Sequence, residues 1–514
     1  MGEERSSSLI KNTIKPTASS TSKLSGKLQI IWPIKRGENA RFLLMTSLMF
    51  CILFIQNLIR ALKDSIVNTL VGTEVIAFLK FWGVLPASFL IAILYVKAVN
   101  IFKGDRIFYF IVSLFLLFFF TFAFYIFPNY ETLHLSDETM QLLIKQHPHF
   151  KWFILLIGKW GFSLFYIICE VWPNLVVALL FWQFINQVTT VEQSSRFYGL
   201  FGLLGQTGLY ISGQFLVNLP LISAYFIALL GLKASNSVVS VQVTLSLVII
   251  LGLLGLICFW VLTHKILPED TKLTFKIKAK KISLQSSIKM IIESRYIRLI
   301  ATLLISYGIA INLAEAPWKS IASQTYRNVE NYAAFAGNYL SYNGICTVIL
   351  VLVNVNVIRR FGWFTAAIIT PIVVFTTGGI FFATSNFESL GVGIANLFLV
   401  SDPAIIFIII GAAQNVLSKS TKYTFFDITK EMSYVPLDDE LKAKGKAAVD
   451  VIATKVGKSA SSFLQSMIFI IFPAATYQSI SIYLMLVFVI ICIFWFWAVS
   501  ELSKEYEGLT QDKK

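Results

Sequence analysis

Charge is scarce in this 514-residue chain. Asp, Glu, Lys and Arg together make up 14% of it, against about 25% in a soluble globular domain, so a water-soluble fold is excluded. Cysteine is sparse as well. Cys51, Cys169, Cys258, Cys346 and Cys492 all lie in apolar segments without a C-x-x-C pair, which excludes a disulfide framework and a thiolate metal site. The four histidines, His134, His147, His149 and His264, show no metal-ligand spacing. No cofactor is implied. The "GKS" at 457–459 is no P-loop either. The glycine required five residues before Gly457 is Ile452, and no strand precedes it, so nucleotide hydrolysis at such a loop is excluded. The first 28 residues are rich in Ser, Thr and Lys without an apolar stretch, unlike a secretory signal. They read as a cytoplasmic arm.

What the chain has in abundance is apolar length. Hydrophobic residues make up 56% of it, with 45 Phe, and runs near 20 residues match the ~30 Å hydrocarbon core of a bilayer. Read in order, the spans fall near 40–59, 74–97, 107–128, 152–186, 195–219, 241–264, 296–316, 332–358, 364–384, 389–417, 446–473 and 476–500. The fourth is too long for one upright span and is expected to bend at Pro173. The fold class expected is an all-α integral membrane protein of twelve transmembrane helices, its non-substrate partner being lipid.

The net charge of +15 is accounted for by loops and calls for neither nucleic acid nor a protein partner. With both termini inside, 32 of the 43 Lys and Arg fall on the inner side. The outer loops then hold Arg60, Lys63, Lys145, Lys151, Lys233, Lys319 and Arg327, a bias that orients the chain N-in and C-in. A basic linker at 265–295 separates a six-helix half at 40–264 from a second at 296–500, flanked by an arm at 1–39 and a tail at 501–514. Six plus six is a major-facilitator-like plan, with the substrate site at the midplane between halves.

Ionisable residues inside spans cost about 2.5–3.5 kcal/mol each on insertion scales and mark function by default. In "FIQNLIRALKDS", Arg60, Lys63 and Asp64 share a helical face. In "GKWGFSLFYIICEVWPN", Lys159 and Glu170 lie about 20° apart around a helix, with Asn174 beside them. In "INLAEAPWKS", Glu315 and Lys319 form an i, i+4 pair around Pro317, which predicts a broken helix end lining a cavity. In "DELKAKGKAAVDVIATKVGKSASS", Lys446 and Asp450 share a face, and Lys455 and Lys458 lie about 180° and 120° around from Lys446, so not all three lysines face one cavity; Lys458 is a candidate with Lys446 and Asp450. Glycines at 199, 202, 205 and 208 form a stripe suited to close helix packing. Lysine outnumbers acid in these clusters, and a positively charged cavity suits a polyanionic substrate.

Several long segments carry a family resemblance: "FWQFINQVTTVEQSSRFYGLFGLLGQ", "INLAEAPWKS" and "QNVLSKSTKYTFFDITKEMSYVPLDDELKAKGKAAVDVIATKVGKSASS". They resemble the ATP/ADP translocase (nucleotide transporter) family of obligate intracellular bacteria and plastids, and the short N-terminal arm looks like the rickettsial-type members. "IIWPIKRGENARF" and "ALKDSIVNTLVGTEVIAFLK" extend the likeness over nearly the whole chain after residue 28. The resemblance implies a non-enzymatic antiporter of the bacterial inner membrane, exchanging external ATP for internal ADP. It also implies that Lys63, Glu170, Glu315 and Lys446 matter for transport. Some paralogues of this family carry other nucleotides, and prolines in "CEVWPN" and "EAPWKS" depart from the ATP/ADP pattern. Other classes open to the sequence are a proton-coupled organic-anion or drug carrier and a nucleotide receptor that does not transport.

Overall fold

A computed structural model of the chain describes residues 34–102, 104–267, 284–438, 441–442, 445–446, 449 and 453–511. Among them there is no strand. The long helices of the first half are α1 Asn39–Leu70, α2 Val75–Val99, α3 Arg106–Ile126, α4 Trp160–Val188, α5 Val191–Val217 and α6 Asn236–Ile266. The second half holds α7 Arg295–Thr325, α8 Val329–Asn354, α9 Asn356–Asn386, α10 Pro403–Ser433, α11 Thr454–Ile471 and α12 Ser481–Gln511. Ten of these are long and apolar enough to cross a membrane on their own. The end of α5, Thr207–Val217, and the following Leu219–Leu230 are apolar enough only when taken together and meet at a 53° bend, the geometry of a broken span or a re-entrant loop. α11 is more polar, with Ser461, Ser462, Gln465 and Ser466 buried. The start of its expected span, including Asp450, lies outside the described residues. So does most of the basic linker.

Helix ends follow local chemistry. Thr190 and Gln193 form a reciprocal capping box at the start of α5. Asp402 caps α10, with Pro403 in the first turn where its missing N–H costs nothing. The helical run from 329 to 386 kinks inside α9 at Gly362, whose φ of 80° is readily adopted by glycine.

Several expected boundaries move. α1 and α7 run some ten residues past their predicted ends, so Arg60, Lys63 and Lys319 sit within helices and not in outer loops. α7 does not break at Pro317. It continues to Thr325, because tertiary packing around the buried proline outweighs one lost backbone hydrogen bond. The tenth span lies at 403–433, later than predicted, since Glu388–Leu397 forms a separate short helix. The fourth run is divided at Lys159, which has non-helical φ and ψ between two helices. At Pro173 the helix continues as a wider π-helical stretch to Phe181.

The termini of the described chain, at α1 and α12, define one end of the bundle, and the C-terminal end of α1 lies at the far end. Several contacts joining the two halves cluster toward that far end. Thr73 meets Ser323 at 3.2 Å, Gln214 donates to Ser341 at 3.0 Å, and Ser237 donates to Glu330 at 2.7 Å. α5 and α8 touch backbone to backbone there. A Cβ on Gly213 would lie 2.6 Å from the Gly337 carbonyl oxygen, so only glycine fits. The predicted glycine stripe also packs helices: Gly205 and Gly208 face Leu53 and Phe50 of α1.

Candidate functional site

Buried charge is costly unless it is paired, and the interior of this bundle pairs it in series. Glu170 of α4 meets Lys63 of α1 at 2.9 Å, and Lys63 meets Asp64 at 2.6 Å. Asp64 then reaches across the halves to Lys319 of α7 at 2.8 Å. Lys319 also holds Glu315 at 2.8 Å, and Glu315 meets Lys419 of α10 at 3.5 Å. The result is an alternating chain of three acids and three lysines drawn from four helices and both halves. Five of its members have side chains 3–10% exposed, and Glu170 is 33% exposed. Lys63 additionally stands 3.9 Å from the centre of the Tyr166 ring, a favourable cation–π position.

Three further cations lie near this chain without a carboxylate of their own. Arg60, one turn below Lys63 on α1, has no hydrogen-bond or ion-pair partner among the described residues. Lys458 of α11 is exposed, likewise unpaired among the described residues, and its charge acts on Glu170. Lys80 of α2 donates to the Asn312 amide oxygen at 2.8 Å. Chain and cations together carry a surplus of three positive charges, which is the feature that an anionic ligand would neutralise.

Of the residues expected from sequence, Lys63, Glu170, Glu315, Lys319 and Arg60 come together here, with Lys458 near Glu170. Lys159 does not join Glu170. The break at residue 159 turns its ammonium toward the Leu70 carbonyl at the end of α1, 2.8 Å away. The Asn174 side-chain amide donates to the Glu170 carbonyl oxygen at 3.4 Å, beside the site. Lys446 stands apart from the chain, half-exposed and paired with Glu431. Gly457 of the "GKS" is a packing residue, its would-be Cβ 2.9 Å from the Ile305 carbonyl oxygen of α7.

The sequence profile of the TLC ATP/ADP transporter matches residues 17–506. The chain belongs to that family. It is 61% identical over 479 residues to ADP,ATP carrier protein 4 of Rickettsia bellii (strain RML369-C), covering 93% of this chain and 92% of the relative. Carrier protein 4 of Rickettsia prowazekii (strain Madrid E) is 57% identical over 502 residues, covering 97% of each chain. Carrier protein 3 of Rickettsia bellii is 42% identical over 495 residues, covering 94% of this chain and 97% of the relative. Among solved structures, a bacterial homologue of the iron transporter ferroportin in its inward-facing state superposes with a TM-score of 0.56 at 11% identity. That match covers 89% of this chain and 98% of the other. A bacterial homologue of the lysosomal transporter Spinster, inward-facing and unoccupied, gives 0.51 at 12% identity, covering 93% and 99%. These structures establish the major-facilitator-like fold.

Within this TLC-family transporter, sequence reasoning missed two members of the constellation. Lys419 in "NVLSKSTKY" falls just past the expected end of the tenth span at 417, yet it is 7% exposed on α10. Lys80 falls inside the expected second span with no charged neighbour in sequence to single it out. The i+4 spacing of Glu315 and Lys319 was visible in sequence; their cross-half partners were not.

Proposed function

We propose that this protein is a nucleotide antiporter that exchanges external ATP for internal ADP by alternating access, without hydrolysis. It works as a multi-span carrier of the bacterial inner membrane, with both termini cytoplasmic. The observation that carries the reading is the surplus of cations set beside an ion-pair chain that spans the two halves. A nucleoside triphosphate brings about four negative charges and a diphosphate about three, matched to that surplus. Arg60 and Lys458, having no fixed counter-charge, meet the phosphates first, and Lys63 joins them when Glu170 releases it.

The ion-pair chain serves as the gate on the outer face. While Asp64 holds Lys319, the halves are shut at the far end and the cavity communicates with the cytoplasm. Incoming phosphate competes with Glu170 and Glu315 for the lysines, weakens the bridge, and lets the halves rock. Because the carboxylates stand in for phosphate when the site is empty, reorientation without nucleotide is slow and exchange is favoured over one-way flux.

A second reading concerns the base. The prolines in "CEVWPN" and "EAPWKS" depart from the ATP/ADP pattern that the resemblance implies, which leaves carriage of another nucleotide as the alternative. Competition by unlabelled ATP, ADP, GTP, CTP and UTP against labelled ATP uptake tests it. Strong competition by ATP and ADP alone supports ATP/ADP exchange. Absence of labelled ATP uptake, with uptake of another labelled nucleotide, moves the assignment to that base.

A further inference from the structure

Lys80 differs in kind from the lysines of the gate. Lys63, Lys319 and Lys419 each have a carboxylate oxygen within 3.5 Å. Among the described residues Lys80 hydrogen-bonds only to a neutral amide, Asn312, which belongs to the other half. Glu315, one turn from Asn312 on α7, is already engaged by both Lys319 and Lys419. Lys80 also lies on a π-helical stretch, Leu79–Val84, a local widening that proteins often place at functional sites. A small cavity beside it is lined by Thr73, Ile76, Lys80, Glu315 and Lys319. An ammonium held inside an apolar bundle against a neutral amide oxygen can exchange that partner for a better acceptor. A phosphate oxygen is such an acceptor, because its negative charge attracts the ammonium where the amide oxygen offers only a dipole.

We propose that Lys80 is a phosphate-binding residue of the transport cycle, parked on Asn312 in the empty carrier and transferred to the terminal phosphate of the bound nucleotide. The transfer breaks one tie between α2 and α7, so the contact that recognises phosphate also loosens the closed far end. This inference rests on nucleotide exchange being the activity. It adds a residue whose charge would otherwise be a burden on insertion.

The test is counterflow with the full-length protein reconstituted in liposomes, measuring KM and maximal rate separately for ATP and ADP. Lys80→Gln is expected to raise both KM values by about tenfold to a hundredfold, and Lys80→Arg to restore most of that loss. Asn312→Asp gives Lys80 a permanent counter-charge and is expected to raise KM while Lys80 is still present. A Lys80→Gln protein with unchanged KM would overturn the proposal, as would a lowered maximal rate at constant KM. If Lys80→Gln fails to accumulate in membranes, the near-isosteric Asn312→Asp decides: raised KM supports the proposal and unchanged KM refutes it. Absence of exchange by the wild-type protein would instead refute the assigned activity.

Discussion

Lys319 bridges the two halves of the molecule, its ammonium 2.8 Å from Asp64 of α1 and 2.8 Å from Glu315 of its own helix. Removing one member of a buried pair costs about 3–5 kcal/mol, because the other charge is stranded. Asp64→Asn and Lys319→Gln are therefore each expected to weaken closure of the far end. Thiol labelling with an impermeant reagent at Ser323→Cys, in a background without the native cysteines, should rise severalfold in either variant. The reciprocal exchange Asp64→Lys with Lys319→Asp should bring labelling part of the way back. Unchanged labelling in all three would remove the gate.

Glu170 is the most exposed acid of the chain and touches Lys63 at 2.9 Å. Glu170→Gln should leave the protein inserted and slow exchange severely, by about tenfold or more for the loss of one charged contact. The compensating partner is Lys63, not Lys159, which is bound to the Leu70 carbonyl. Adding Lys159→Gln to Glu170→Gln should therefore not recover exchange. Full transport by the single variant would make Glu170 dispensable.

Lys446 is about half-exposed and bound to Glu431, itself about half-exposed. Exposed pairs contribute about 0–1 kcal/mol, so Lys446→Gln should barely alter protein level. The family resemblance implies a role in transport, and Gly445 beside the pair packs on Ile297 at the start of α7, away from the ion-pair chain, so the role expected is in turnover. Maximal rate should fall with KM for ATP within about twofold of wild type, the phosphate contacts lying elsewhere. A large KM increase would place Lys446 among the phosphate ligands.

His134, in the segment between α3 and α4, accepts a hydrogen bond from the Gly161 amide at 3.2 Å. Burial, helped by the nearby Lys159 charge, pushes its imidazole down to about 4. The unfolded chain takes up a proton near the ordinary value of about 6.5. The stability held by the neutral ring is thus complete above pH 6.5 and is lost as pH falls toward 4. The detergent-solubilised protein should melt at progressively lower temperature over that window, and His134→Gln should flatten the dependence. Parallel pH profiles for the two proteins would show that His134 is protonated normally.

The class of the fold was legible because hydrophobic length is a local property. Each run declares its own helix, and the basic residues on one side set the orientation expected for the whole. Boundaries were less legible where charge entered a helix. Arg60, Lys63 and Lys319 looked like loop residues because sequence shows a charge and not the partner that makes it tolerable. Asp64 and Lys319 stand 255 positions apart, and only the docking of α1 on α7 brings them together. Lys419 was hidden for the opposite reason, its polar neighbours being buried with it. Pro317 misled because the rule that proline ends helices is a local one, outweighed here by packing on nearly every side of α7.

The central claim is obligatory nucleotide exchange, and the direct measurement is uptake of labelled ATP into proteoliposomes of the purified full-length protein. Uptake should require ADP or another nucleotide inside, the ATP recovered should be intact, and the rate should respond to membrane potential because the charges exchanged are unequal. Vigorous uptake into vesicles that hold no nucleotide would contradict the account.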